Sequence, residues 1–390
     1  MKKLAALALA ASALVATALT VGTTRGESAV KAENGSATTL ISCGKTRTIG
    51  LLAPITGPAA SIGILQVKWA DFYVRTYNAK HKTKFKLMKA DTQLGGANGN
   101  AEALKSAQAI RGSSKVLGVV GPAGSNEVKG TTAVLNGGGL GFVSGSATGT
   151  TLATDGTRTG YFFRTVPPDS AQSKNVANYI TQKLKYKRVY IIDDQEAYST
   201  GLSDEVQTIL KARGVTVTRD GVSQQQSDFS SLIAKIPRDT QLVYIPWQLP
   251  PKGQAFGQQM KTAGKASIKL MGSDGLFDPA FASVGSNVYD SFFPVQPTDA
   301  SIKAYKKSHG GQGDYFGAPS YVAAQVVGEA IDRACKDGKA TRAEVRGQIA
   351  KTKLKTSLLG LPVSFTRGGD LKGGSFGIYQ SKNGAFARVG

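Results

Sequence analysis

The sequence predicts an α/β fold of two lobes, each a parallel sheet wrapped by helices, on three observations. Apolar strand-like runs alternate with segments whose apolar residues recur at helical spacing, and that alternation implies parallel strands with helical crossovers. The alternation runs through two cycles, separated by the proline-marked stretch Arg164 to Asp169. Three apolar runs also break, at their C-terminal ends, into glycine and small polar residues. These ends are Gly121 to Asn126, Ser144 to Gly149 and Gly272 to Gly275. At 390 residues the chain is long enough for two domains with a large apolar core.

The elements follow in order. Residues 48–53 read as a strand, and 64–79 as a helix with Leu65, Trp69, Phe72, Tyr73 and Thr76 on one face. A strand at 85–90 precedes a helix at 97–111, whose buried stripe carries Ala103, Ala107 and Ile110. Residues 116–120 are continuously apolar, as a strand covered on both faces would be. A helix is expected after Ser125 and a strand at 140–143. The second cycle has a strand at 188–192, a helix at 201–212 and a strand at 215–218. Ser227 and Asp228 then cap a helix carrying Phe229, Leu232, Ile233 and Ile236. A strand at 242–245, a helix at 253–263 and a strand at 268–271 complete it. A second proline-marked crossing covers 293–297. The tail supplies helices at 300–308, 320–335 and 341–350 and β-like segments at 362–365 and 377–380.

In a parallel sheet, ligands collect beyond the C-terminal strand ends. The loops at Ser125 and at Ser146 to Thr148 offer hydroxyl and N–H donors suited to an anion, and Asp274 offers an anion suited to a cation. A small zwitterion such as an amino acid needs that combination. Each residue also has an ordinary structural role open to it. Ser125 and Thr148 could cap helices, Asp274 could form a Ser-Asp-Gly turn, and Tyr198 and Trp247 could be packed aromatics.

Lys2 and Lys3 followed by an uncharged, Ala-rich run to Val21 read as a secretory leader, with cleavage expected before Glu33. Leu40 to Cys43 resembles a lipoprotein cleavage box, but charged residues separate it from the apolar run, where such a box should abut it. Cys43 and Cys335 are the only cysteines. In an exported chain they are expected to form one disulfide, the alternative being a buried Cys335 with Cys43 lipidated or free.

The net charge of +22 invites a nucleic-acid reading, yet the lysines are scattered and no recognition motif is present. A basic surface near an anionic envelope is the expectation. The sequence lacks a Gly-x-Ser-x-Gly elbow, a P-loop lysine and Cys/His pairs at metal spacing, so neither catalysis nor a metal or cofactor is expected. The glycines from Gly137 to Gly141 precede a strand, which is the wrong context for a phosphate loop. His81 and His309, the only histidines, are expected to be solvated.

Laid out this way, the chain resembles the periplasmic Leu/Ile/Val-binding protein family, the type I solute-binding proteins of ABC importers, from about Thr48 to the C-terminus. The resemblance rests on Ile49 to Pro58, Val119 to Pro122, Phe163 to Thr165, Asp194 to Gly201, Asp228 to Ser230, Met271 to Gly275 and Gly368 to Leu371, in that order. It implies two Rossmann-like lobes joined by a three-strand hinge. The leader would occupy residues 1–32 and a linker 33–46. Lobe 1 would be 47–166 with 297–375, and lobe 2 would be 167–296 with 376–390. It further implies that Ser125 and Thr148 hold a ligand α-carboxylate, with a backbone contact from Ser146. Asp274, next to Gly275, would receive the α-ammonium group, and Tyr198 would close over the ligand from the second lobe. Trp247 or Gln248, and Phe316 or Tyr315, would line the side-chain pocket.

Two departures from the family pattern bear on that pocket: Ile62 stands where many relatives carry an aromatic residue, and Pro246, Pro250 and Pro251 surround Trp247. The implied function is delivery of a small apolar or branched-chain amino acid to a membrane permease by an exported monomer. The alternatives are another small carboxylate or amide as ligand, or an envelope sensor without a permease.

Overall fold

The computed structural model describes residues 38–294, 299–309 and 316–390. The expected leader, its cleavage point, residues 33–37 of the linker, Pro297 and Tyr315 lie outside the described residues.

The first half runs β1 (Ile41–Ser42), β2 (Thr46–Ala53), α1 (Ala60–Lys80), β3 (Lys84–Asp91), α2 (Gly99–Gly112), β4 (Val116–Val120), α3 (Ser125–Gly137), β5 (Phe142–Ser144), α4 (Thr151–Thr154) and β6 (Phe162–Arg164). The second runs α5 (Asp169–Asn178), β7 (Arg188–Asp193), α6 (Ala197–Ala212), β8 (Thr216–Gly221), α7 (Ser230–Lys235), β9 (Leu242–Tyr244), α8 (Pro250–Thr262), β10 (Lys269–Met271), α9 (Pro279–Ala282) and β11 (Val288–Phe292). The tail adds α10 (Asp299–His309), α11 (Gly317–Ala334), β12 (Lys339–Ala340), α12 (Arg342–Ala350), β13 (Gly377–Lys382) and β14 (Ala385–Arg388).

Five parallel strands form the first sheet in the order β3-β2-β4-β5-β6. The second repeats that order as β8-β7-β9-β10-β11 and then adds β13 and β14 antiparallel at its edge. Both sheets therefore reverse direction at the same point, between β2 and β4 and between β7 and β9, and a crevice opens at the C-terminal strand ends there. The central strands are buried on both faces, which is why β4 reads as an unbroken apolar run.

Several elements escape a reading of the sequence. Strand β6 has only three residues, too few for a periodic signal, and β11 carries Asp290 and Ser291 inside an otherwise apolar run. The stretch expected as an extended crossing contains the last residue of β6, Arg164, and the first of α5, Asp169. Only residues 165–168 are the crossing itself. Helix α8 begins at Pro250, not Gly253, because the two prolines occupy its first turn, where a missing N–H costs nothing. Asp228 does not cap α7, whose N-cap is Phe229 without a side-chain bond; its Oδ1 accepts the Ser230 N–H (2.9 Å) in an Asx turn that leads into the helix.

Two features hold the first half together across the chain. Arg342, the first residue of α12, is buried, and its guanidinium donates to the carbonyls of Val116, Gly138, Arg111 and Ser113 at 2.7–3.1 Å. It thus satisfies orphan acceptors at the C-terminal ends of α2 and α3. Cys43 and Cys335 are joined by a disulfide spanning 292 residues, beside the antiparallel pair β1 and β12. A sulfur in that bond is not available to carry a lipid thioether. Because the bond restricts the unfolded chain, reduction is expected to destabilise the protein by about 2–4 kcal/mol. Urea unfolding with and without a reductant measures this, and coincident curves would contradict it.

Candidate functional site

The C-terminal strand ends of both sheets face one cavity, lined by Ile62, Leu94, Ala123, Gly124, Ser125, Ser146, Tyr198, Gln248, Asp274, Gly275 and Phe316. Its water-accessible volume is about 30 Å³, so the lining residues of the two sheets stand close together. Of the residues expected from sequence, it gathers Ile62, Ser125, Ser146, Tyr198, Gln248, Asp274, Gly275 and Phe316.

The anion side comes from the first sheet. Chain leaving β4 turns directly into α3, so Ser125 is the first residue of a helix and sits at the positive end of its dipole. Ser125 Oγ accepts the Gly149 N–H (3.0 Å), which ties the loops after β4 and β5 together and leaves the hydroxyl proton to donate. Ser146 is differently engaged. Its hydroxyl donates to Ala123 O (2.8 Å) and accepts from Gln66 Nε2 (2.7 Å), while its N–H points at Ser144 Oγ (3.3 Å). The carbonyl is the group it can offer a ligand.

Thr148 stands just behind the cavity wall and does not line it. Its carbonyl accepts the Asp169 N–H (2.8 Å), while its hydroxyl and the Asp169 carboxyl oxygens are buried without a hydrogen bond of ordinary geometry. Arg164 fixes the loop carrying these residues. Its buried guanidinium donates to Gly149 O (2.9 Å), Ala147 O (3.2 Å) and Asp370 Oδ1 (2.7 Å from Nε).

The cation side comes from the second sheet. Asp274 opens a tight turn after β10 and is almost wholly buried. Its Oδ1 accepts from the Tyr198 hydroxyl (2.6 Å), which also lies 2.6 Å from Ser273 Oγ. Burial raises the Asp274 carboxyl to about 6. Two further buried carboxyls stand close by. Asp169, on α5, is pushed well above the usual range by burial and by the Asp274 charge. Asp290, on β11, is pushed the same way by the same causes. The Tyr198 and Tyr244 hydroxyls rise too, through burial and the neighbouring aspartates. A cation bound at this end would offset the burial and mutual repulsion that hold these carboxyls toward their neutral form.

The apolar wall is Ile62, Leu94 and Phe316. Phe316 packs edge-on against Phe292 and Phe293, joining the wall to a cluster that includes Val166, Phe277 and Phe376. Trp247 is a correction to the sequence reading. Its ring lies in the core of the second half against Phe229 and Phe256, and its Nε1 donates to Ile192 O (2.8 Å). Side chains alternate along an extended segment, so with Trp247 inward it is Gln248 that faces the cavity. Gly275 makes that approach possible, since a Cβ there would lie 2.7 Å from Gln248 Cα.

Sequence reasoning missed Leu94, Ala123, Gly124 and Asp169. Leu94 lies in Thr92 to Gly96, a strand-end loop like the other three, but it meets the cavity with an apolar side chain and not with a hydroxyl or carboxylate.

A sequence profile described as periplasmic binding protein matches residues 46–385. A Leu/Ile/Val-binding protein of Rhizobium johnstonii is 28% identical over 354 residues, covering 85% of this chain and 91% of the relative. Among solved structures, a leucine-binding protein of Thermotoga maritima superposes with a TM-score of 0.79 at 20% identity, covering 88% of this chain and 98% of that one. An ABC transporter solute-binding protein of R. palustris in complex with benzoate gives a TM-score of 0.76 at 18% identity, covering 88% and 96%.

Proposed function

Because the chain belongs to the periplasmic binding protein family, we propose that it is the extracytoplasmic solute-binding component of an ABC importer, and that its ligand is a small amino acid with an apolar side chain. One observation carries this reading. A helix N-terminus with a free hydroxyl proton, at Ser125, faces a buried carboxyl, Asp274, across a single small cavity with an apolar wall. An α-carboxylate fits the first, an α-ammonium group the second, and the side chain would lie against Ile62, Leu94 and Phe316. A ligand held from both sheets favours the closed arrangement of a hinge, and that closed form is what a membrane permease would receive. The protein acts as a monomer exported by the leader at residues 1–32. Among the described residues no helix is long and apolar enough to cross a membrane.

A second reading is favoured by the phenylalanines behind Phe316 and by the benzoate bound in the R. palustris protein: a small aromatic carboxylate. Such a ligand would leave Asp274 without a cation. Thermal-shift screening of the amino acids against benzoate separates the two. A ligand at about 100 times its Kd should stabilise by about 2.7 kcal/mol. A shift with benzoate and with no amino acid would overturn the first reading.

The raised carboxyl of Asp274 also predicts a pH dependence. A zwitterion needs it ionised, so affinity is lost as pH falls through about 6, by about tenfold between pH 7 and pH 5. The ligand-free fold responds with the opposite sign. A carboxyl raised by burial contributes most to stability below its unfolded value of 3.8 and loses that contribution as pH rises through about 6. Calorimetric titrations at pH 5, 6 and 7 measure the first effect, and a flat profile would contradict it.

A further inference from the structure

The proline-bracketed segment Ile245 to Pro251 does more than supply Gln248. Trp247 is pinned in the core of the second half, its backbone N–H returns to Ile245 O (2.8 Å), and Pro250 starts α8 directly after Leu249. Three prolines with restricted φ and one anchored indole make this a rigid bracket. Its next side chain, Leu249, leaves its own half of the molecule. It is buried together with Ala59 and Leu94 of the first half, in a small apolar cluster of its own. The fit needs a glycine opposite. A Cβ at Gly95 would lie 2.4 Å from Leu249 Cδ2, and Gly95 also holds a φ of +77° that side chains rarely adopt. Polar contacts around this knob are long. Gln248 Nε2 is 3.4 Å from Asn126 Oδ1, and Gln225 Nε2 is 3.4 Å from Gly95 O. Beside these long contacts the apolar insertion packs closely.

We propose that Leu249 is the closure latch of this protein, a positioning residue that locks the two lobes around the ligand by inserting into the socket of Ala59, Leu94 and Gly95. The proposal rests on reading the cavity as the ligand site. Leu249 does not line the cavity, but Leu94 does, so one side chain borders both the latch and the cavity. Opening returns Leu249 and its socket to water, so the latch acts on ligand escape and leaves first encounter unchanged. It also leaves ligand ranking unchanged, because it makes no ligand contact.

The test is stopped-flow binding of the amino acid that most stabilises the wild type. Leu249→Ala is expected to raise the dissociation rate constant about tenfold to a hundredfold, with the association rate constant within about threefold. The order of preference among amino acids stays the same, and Leu249→Met stays near wild type. Gly95→Ala weakens binding by obstructing the socket, and Gly95→Ala with Leu249→Ala binds more tightly than Gly95→Ala alone. An unchanged dissociation rate in Leu249→Ala, or a changed ligand order, overturns the latch. A ligand-free arm keeps this apart from the amino-acid reading. Cysteines replacing Ala97 and Gln225, on opposite sides of the rim, are joined by a short bis-maleimide at a rate that follows the closed population. Leu249→Ala should slow that joining about tenfold or more, and an equal rate overturns the latch whatever the ligand is.

Discussion

Asp274→Asn is expected to cost about 3–5 kcal/mol in amino-acid binding, a loss of about a hundredfold to several thousandfold in affinity. The ammonium group would be desolvated without a counter-charge, and water in a cavity this small cannot replace one. The fold should be spared. An asparagine Oδ1 still accepts from the Tyr198 hydroxyl, and the variant sheds a buried carboxyl that folding raises to about 6. Calorimetry and a melting curve on the same preparation read both effects. Full affinity with an unchanged melt would remove Asp274 from the ammonium site. Loss of both would mark it as a structural residue. The pH dependence near 6 should also vanish in this variant, which ties it to Asp274 and not to Asp169 or Asp290.

Arg164→Met is expected to destabilise by about 3–5 kcal/mol and to impair binding besides. The substitution keeps most of the buried volume but removes the donors to Ala147 O and Gly149 O and the partner of Asp370. The Gly149 N–H that fixes the Ser125 hydroxyl belongs to the same loop, so the anion site loosens with it. Urea midpoints measure the first effect, and calorimetry under fully folded conditions measures the second. A stable variant that binds normally would show that the loop holds its shape without the guanidinium.

The fold is legible in the sequence where apolar runs are long or periodic, as in β4 and in the stripes of α2 and α6. It is legible also where glycine or proline clearly marks the end of a run. Strand ends stand out for a related reason. A run that stops at Gly-Pro, Ser-Gly or Gly-Ser-Asp announces its loop, and so Ser125, Ser146 and Asp274 can be picked out from the chain alone.

What stays hidden depends on direction in space. Helix α5 follows two prolines and buries Asp169, Gln172 and Ser173 alongside Val176, so its inward face is polar and gives no apolar stripe. Trp247 and Gln248 are adjacent, and only the orientation of the three-residue strand before them decides which one enters the core. Thr148 and Asp169 are joined by a backbone hydrogen bond across an intervening helix and strand, a pairing that local sequence does not carry.

The chain from Arg342 onward serves both halves of the molecule. Arg342 closes carbonyls on the first sheet's helices, Asp370 holds Arg164 beneath the anion loop, and β13 and β14 then extend the second sheet. A single cut therefore cannot divide this protein into two working modules. Any chimera that exchanges one lobe with a relative needs three junctions, and a chain halted before Arg342 would have a complete second parallel core beside an unfinished first one. Specificity in this architecture is consequently easier to change by substitutions at the cavity wall than by recombination of whole lobes.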